Sequence, residues 1–352
     1  MRPGLSHRPV FLLAVIAVFG AVVLGLFGLA DARKPHRAMR AQTAKATKTV
    51  KATKTAKAAT LRAKSRAVPT YTRNGQPNIL ARAALVVDLA TGQPVFLKNP
   101  DEVRPIASIS KLLAMLVVLE HKLDLDGTSV ILPDDARRTV RGAKSRLAVG
   151  MKLPNRDLLH AALMASDNRA VLALGRAVGL GPAAHAQAMT AKAKSLGLKK
   201  TAFHDPTGLD YGNVSTPRET VTMLLAALGH PLISKVVRTR AYVAQTLSPK
   251  KHSIEYGNTD LLLASRHEVL GGKTGYNDRA GYCLVVAARI AGAVGKVKEV
   301  AMVFLGETGK NTRFADFGRA AQWLVEKQPA LGQNPGRGSL PSPGSTDLAR
   351  RG

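Results

Sequence analysis

The order of periodicities along the chain constrains its fold more than any other feature: strands first, then a long helical stretch, then strands and a closing helix. Ala84-Leu-Val-Val-Asp88 and Pro94-Val-Phe-Leu97 flank Ala90-Thr-Gly-Gln93 and read as a β-hairpin. Apolar residues then recur at helical spacing over Ile109 to Glu120, Arg156 to Ala165, Ala170 to Val178, Ala183 to Leu196 and Thr220 to Leu228. Tyr282 to Ala288 and Glu299 to Leu305 return to strand composition, and Arg313 to Lys327 reads as an amphipathic helix behind Thr312 as its N-cap. The two ends of this pattern therefore share one sheet in a mixed α and β fold. The helical stretch is then an insertion beside it.

The pattern occupies residues 70–328, and the flanks differ from it in composition. Val10 to Ala30 is an almost unbroken apolar run behind Arg2, His7 and Arg8, which reads as an export signal. Ala30-Asp31-Ala32 places small residues where a signal peptidase needs them, while the run is long enough to span a bilayer. Residues 1–32 are thus a signal peptide or a signal anchor. From Arg33 to Arg66 there are twelve Lys or Arg and no acidic residue, among Ala and Thr, so residues 33–69 read as a disordered basic linker. Such a segment can also hook an anionic wall polymer or membrane surface; an export signal argues against nucleic acid. Residues 329–352 are rich in Gly, Pro and Ser and read as a disordered tail. The domain itself carries 35 basic and 21 acidic residues, net +14, which suits an acidic polymeric substrate. Cys283 is the single cysteine, set in an apolar strand, so it forms no intramolecular disulfide; the nine histidines show no metal-ligand spacing. No metal or cofactor is expected.

Three short motifs carry chemistry. In Pro105-Ile-Ala-Ser108-Ile-Ser-Lys111, Ser108 would open a helix and Lys111 would lie one turn on, on the same face. A serine hydroxyl needs a base, and a lysine amine serves when burial or another cation disfavours its ammonium form. Ser-x-x-Lys is weak alone; the second copy, Ser248-Pro-Lys-Lys251, holds a proline that argues for a loop. Ser166-Asp167-Asn168 follows at a break between two helices, where a helix cap is the simplest reading. Lys273-Thr274-Gly275 leads into an apolar strand. There a lysine and a hydroxyl could hold a carboxylate, and glycine would let a substrate backbone come close.

Their joint order, Ser-x-x-Lys, Ser-x-Asn, Lys-Thr-Gly, resembles the signature set of penicillin-binding proteins and serine β-lactamases. Leu163-Met-Ala-Ser-Asp-Asn-Arg169, Asp205-Pro-Thr-Gly-Leu209 with Asn213-Val-Ser-Thr216, and Gly272-Lys-Thr-Gly-Tyr276 ahead of Ala280-Gly-Tyr-Cys283 are similar to the low-molecular-mass D-alanyl-D-alanine carboxypeptidases and endopeptidases. The resemblance implies a β-lactamase/transpeptidase-like fold, an antiparallel sheet of about five strands flanked by helices with a mostly helical inserted subdomain. It also implies that Ser108 is acylated by a D-Ala carbonyl while Lys111 takes the proton. Ser166 and Asn168 would relay protons and hold the substrate amide, Lys273 and Thr274 would bind a carboxylate, and the backbone N–H groups of Ser108 and Tyr276 would form the oxyanion hole. Gly275 would line the same strand, Asp167 would be structural, and the stretch from Asp205 to Thr216 is a family marker without a sequence-level mechanism. The expected partners are peptidoglycan stem peptides and cross-links, with β-lactam antibiotics as covalent inhibitors, in the periplasm. The pattern ends at its closing helix without a further β-rich domain, which is similar to the D,D-endopeptidases.

A class A β-lactamase shares the three motifs but also needs a glutamate beyond Ser-Asp-Asn to activate the deacylating water. No glutamate occurs between Glu120 and Glu219. A non-catalytic basic wall-binding protein would explain residues 33–66 but leaves the three motifs to chance.

Overall fold

A computed structural model describes residues 68–326 apart from 143 and 292–296. The readings of residues 1–32, 33–67 and 329–352 fall outside the described residues. The expected hairpin forms as β1 (Ala83–Asp88) and β2 (Pro94–Lys98), followed by a short β3 (Arg104–Pro105). A 3₁₀ turn over Ala107–Ser110 leads into α1 (Lys111–Glu120). The inserted lobe contains β4 (Thr128–Val130), α2 (Pro133–Arg138), β5 (Lys152–Pro154), α3 (Asn155–Leu163), α4 (Asn168–Ala177), α5 (Pro182–Ser195), β6 (Val214–Ser215), α6 (Pro217–Leu228) and α7 (Pro231–Arg238). A second hairpin, β7 (Ala241–Gln245) and β8 (Ser253–Gly257), precedes β9 (Glu268–Asn277), β10 (Gly281–Ala291), β11 (Val297–Glu307) and α8 (Thr312–Glu326).

The five-stranded sheet has the order β2-β1-β11-β10-β9, antiparallel throughout. The first strand of the domain pairs with the last, Ala83 opposite Leu305 and Asp88 opposite Val300, as the periodicity requires. Both faces of the sheet are covered. Ala83, Leu85 and Val87 pack with α1 and the inserted lobe, whereas Ala84 and Val86 pack with Phe317, Trp323 and Leu324 of α8. Successive side chains of a strand point to opposite faces, so both parities must be apolar here, and burial of each large side chain contributes about 1.5–3 kcal/mol. Helix α1 lies between sheet and lobe with every residue from Lys111 to Val118 buried. Such a helix should be apolar all round, which makes Lys111 at its start the anomaly.

Four local expectations need correction. Ser108 lies in the 3₁₀ turn, and the α-helix begins only at Lys111. Lys273-Thr274-Gly275, ahead of the apolar strand β10 as read, is itself inside a strand, β9: two neighbouring glycines hide it from propensity, while the ladder to β10 holds it extended, Lys273 opposite Val285. Thr312 is the first residue of α8, and its hydroxyl bonds back to Gly309 instead of capping the next turn. The sequence reading also passed over α2 and α7, short helices that each begin with proline.

Candidate active site

The site gathers at the free edge of β9, against the 3₁₀ turn. Ala107 takes the left-handed conformation at φ +48°, which costs a non-glycine residue about 1–2 kcal/mol and persists only where neighbours hold it. Those neighbours come from residues 204–213. Ile106 N–H donates to the Asn213 carbonyl at 3.0 Å, and Asn213 Nδ2 donates to Ser110 Oγ at 3.1 Å. Gly208, at φ +84°, lies so close that an added Cβ would meet the Ala107 carbonyl oxygen at 2.2 Å. On the opposite side, a Cβ on Gly275 would meet the Ile106 carbonyl oxygen at 2.6 Å and Ser108 N at 3.3 Å. Two glycines therefore clamp the turn that presents Ser108, which is half-buried.

Lys111 Nζ lies 2.8 Å from Ser108 Oγ. It donates to Asn168 Oδ1 at 2.7 Å and to the Thr207 carbonyl. These last two groups can only accept. A neutral amine has two N–H groups for them and one lone pair left, directed at the Ser108 hydroxyl. Burial lowers the Lys111 pKa from 10.5 to about 7, with Asp205 and Asp167 opposing the shift. A change of that size disfavours the ammonium by on the order of 5 kcal/mol. Geometry and electrostatics thus agree on an amine that can take the Ser108 proton.

The break between α3 and α4 is built by Ser166, at φ +61°, and Asp167. Asp167 Oδ1 accepts from the N–H groups of Arg169 and Ala170 and caps α4, while its other oxygen accepts from Ser145 Oγ at 2.6 Å. The helix-cap reading of this motif is therefore correct for Asp167, which leaves Asn168 free to face Lys111 and Ser166 to face β9. Gly142, on the loop that carries Ser145, abuts Asn168 so closely that a Cβ there would meet Asn168 Nδ2 at 2.2 Å.

From β9, Lys273 Nζ donates to Ser166 Oγ at 3.0 Å and to the Thr274 carbonyl at 3.0 Å. Burial pushes its pKa well down, helped by the charges of Lys111 and Arg313. Asp260, itself buried and raised to about 6 by that burial, opposes this shift. Thr274 Oγ1 donates to Thr259 Oγ1 at 2.8 Å. Arg313, from the last helix, donates through Nη1 to the Gly275 carbonyl at 3.1 Å and fixes the strand from behind. The Tyr276 ring stacks on Tyr282 with centroids 4.2 Å apart and is half exposed.

The structure thus brings Ser108, Lys111 and Asn168 into one hydrogen-bonded group and Ser166, Lys273 and Thr274 into a second beside it. The rejected motif Ser248-Pro-Lys-Lys251 lies on the turn between β7 and β8, with Lys251 exposed. Among the described residues no group of three or more His, Cys, Asp or Glu could hold a metal. Two cavities, of about 430 Å³ against α8 and about 550 Å³ along α5, do not touch Ser108, so chemistry and not cavity size locates the site. Sequence reasoning missed Thr207, whose carbonyl accepts from Lys111, and Asp205, whose carboxylate accepts from Thr207 N, Gly208 N and the Thr207 hydroxyl. It also missed Thr259 and Arg313. The family marker from Asp205 to Thr216 now has a mechanism: it holds both the serine turn and the lysine amine.

The family model described as D-alanyl-D-alanine carboxypeptidase matches residues 70–308. The D-alanyl-D-alanine endopeptidase of Escherichia coli K12 is 38% identical over 265 residues, which is 74% of this chain and 82% of that protein. The crystal structure of the Streptomyces K15 DD-transpeptidase aligns with a TM-score of 0.63 at 28% identity, covering 70% of this chain and 98% of that one. Penicillin-binding protein D2 of Listeria monocytogenes, in its ampicillin-bound form, aligns with a TM-score of 0.57 at 28% identity and the same coverage.

Proposed function

The chain belongs to the D-alanyl-D-alanine carboxypeptidase family, serine peptidases of the penicillin-binding type, and from that premise we propose that Ser108 attacks D-Ala carbonyls in the stem peptides and cross-links of peptidoglycan. The observation that carries the reading is the Lys111 amine, buried, held by two acceptors and directed at Ser108 Oγ at 2.8 Å. As the serine oxygen bonds the carbonyl carbon, its proton passes to Lys111 Nζ. The N–H groups of Ser108 and Tyr276 are assigned to the oxyanion, since charge developing in a dry site is best met by fixed backbone donors. The intermediate collapses by breaking the C–N bond, and the leaving amine takes up a proton from the Lys111 and Ser166 side. Water then attacks the acyl-serine, its proton returning through Lys111, to release the acid and restore the Ser108 hydroxyl. Lys273 and Thr274 are assigned to the carboxylate beside the scissile bond, Asn168 and Gly275 to the peptide laid along the edge of β9. An edge strand offers unpaired N–H and C=O groups suited to an added peptide.

The preferred substrate is the D-Ala to diaminopimelate cross-link, with terminal D-Ala-D-Ala as a second substrate. The likeness to an endopeptidase supports this order. β-Lactams are assigned as acylating inhibitors, in keeping with the ampicillin-bound relative. The apolar run from Val10 to Ala30 supports a periplasmic enzyme, released or anchored, and the basic residues 33–66 support contact with an anionic wall or membrane surface. Purified cross-linked muropeptide dimers and pentapeptide monomers, digested side by side, test the function: dimers should be cleaved faster by the wild type and neither by Ser108→Ala. Cleavage by the alanine variant would refute the nucleophile, and faster loss of D-Ala from monomers would reverse the preference.

A further inference from the structure

Thr259 lies on the short segment between β8 and β9, outside the three motifs, yet it touches both walls of the site. Its N–H donates to the Met164 carbonyl at 3.0 Å, and its hydroxyl donates to the same oxygen at 3.2 Å. A hydroxyl carries one hydrogen. With that hydrogen on Met164, Thr259 Oγ1 can only accept, and Thr274 Oγ1 donates to it at 2.8 Å. The Thr274 hydrogen is therefore committed to Thr259. A carboxylate offers acceptors alone, so Thr274 in this arrangement has nothing to give it.

We propose that Thr259 is a positioning residue that switches Thr274 into a carboxylate donor. When the substrate carboxylate arrives, the Thr259 hydrogen turns from Met164 to Thr274 Oγ1, and the Thr274 hydrogen turns to the carboxylate. No proton changes owner; two hydroxyls rotate. The Met164 carbonyl keeps the Thr259 N–H, so the rotation gives up a long hydrogen bond without leaving a buried acceptor unpaired. A hydroxyl that accepts while it donates is polarised and donates more strongly, which favours the switched state once the anion is present. The inference rests on the assignment of Thr274 to the substrate carboxylate.

The test compares the full-length protein with Thr259→Val, which removes the hydroxyl but keeps the N–H and the side-chain size. The readout is the second-order acylation rate of Ser108 by benzylpenicillin and by its methyl ester, measured in competition with a fluorescent penicillin. Thr274 keeps its bond to the charged acceptor but loses the polarisation that strengthens it, which should slow the free acid about threefold. The ester, which has no carboxylate, should stay within about twofold, and Thr259→Ser should restore the acid rate. An unchanged acid rate, or an equal fall for acid and ester, would overturn the proposal, the second outcome marking a merely structural residue. Thr274→Val separates the two layers. If it leaves the preference for acid over ester intact, the carboxylate assignment itself fails; if it removes the preference while Thr259→Val does not, only the role of Thr259 falls.

Discussion

The pH dependence of acylation follows from the Lys111 environment closely enough to be worked out. Its pKa lies near 7 because burial penalises the ammonium, and only the neutral amine can accept the Ser108 proton. The neutral fraction is then about 3% at pH 5.5 and about 97% at pH 8.5, so the acylation rate should rise about 30-fold over that range and level off above about pH 8. An ordinary lysine would behave differently. With a pKa of about 10.4 the rate would climb roughly 1000-fold over the same range without a plateau. Stopped-flow acylation with a chromogenic cephalosporin, whose own groups do not titrate there, separates the two curves. Asp167→Asn supplies a second arm, because it keeps an oxygen to cap α4 but removes a charge that raises the Lys111 pKa. Its acidic limb should move to lower pH. A rate independent of pH between 5.5 and 8.5, or one still rising tenfold per unit at pH 9, would refute Lys111 as the neutral base.

Gly208→Ala should abolish penicillin labelling in a protein that still folds, since the new Cβ collides with the Ala107 carbonyl at the serine turn; full labelling would show that the turn is not clamped there. Gly142→Ala should likewise cut acylation at least tenfold by displacing Asn168, read by the same label. Burial beside Asp316 holds the Glu307 carboxyl above the ordinary carboxylate range, so the folded state binds its proton more tightly than the unfolded chain. Stability should therefore fall as pH rises above about 4.5, and Glu307→Gln should flatten that slope in thermal melts followed by circular dichroism. A slope identical in the variant would place the dependence elsewhere. The penicillin adduct on Ser108 should persist for minutes by intact mass, because no glutamate between Glu120 and Glu219 stands ready to activate water, and such help is worth about 10²–10⁴-fold. Loss within seconds would mark a β-lactamase.

What was legible in the sequence was the part written in side chains and period. The β-rich runs Ala84 to Asp88, Pro94 to Leu97, Tyr282 to Ala288 and Glu299 to Leu305 located four of the five strands, and the order of Ser108, Ser166 and Lys273 along the chain picked out groups that the fold brings together. What escaped is written in backbone. The second acceptor around Lys111 is a carbonyl, that of Thr207, and any residue has one. The strain at Ala107 leaves no trace in the residue type, because it is imposed by Asn213 and Gly208 from far along the chain. Local strand propensity at Lys273-Thr274-Gly275 is poor, and its extended conformation is set by pairing with β10. Arg313 could be placed on a helix, but not behind Gly275, because the amphipathic period says only that one face is covered.

Two buried lysines at one site are costly, and the cost explains how the site meets its substrate. The charge of Lys111 lowers the tendency of Lys273 to hold a proton, and neither forms an ion pair with a carboxylate among the described residues. Asp260 is the carboxylate that opposes the lowered pKa of Lys273, but it is itself buried and raised to about 6, with one oxygen lacking a hydrogen-bond partner. In the free protein burial therefore disfavours the charged form of both lysines. A substrate carboxylate beside Lys273 would favour the proton there and, by repulsion, lower the proton affinity of Lys111 further. The anion that positions the scissile bond would thus also sharpen the base that opens it. A prediction for the Lys273→Met variant follows. That variant removes a neighbouring cation, so its acidic limb of acylation should shift to higher pH while its carboxylate affinity drops. A limb that stayed in place would mean that the two lysines titrate independently.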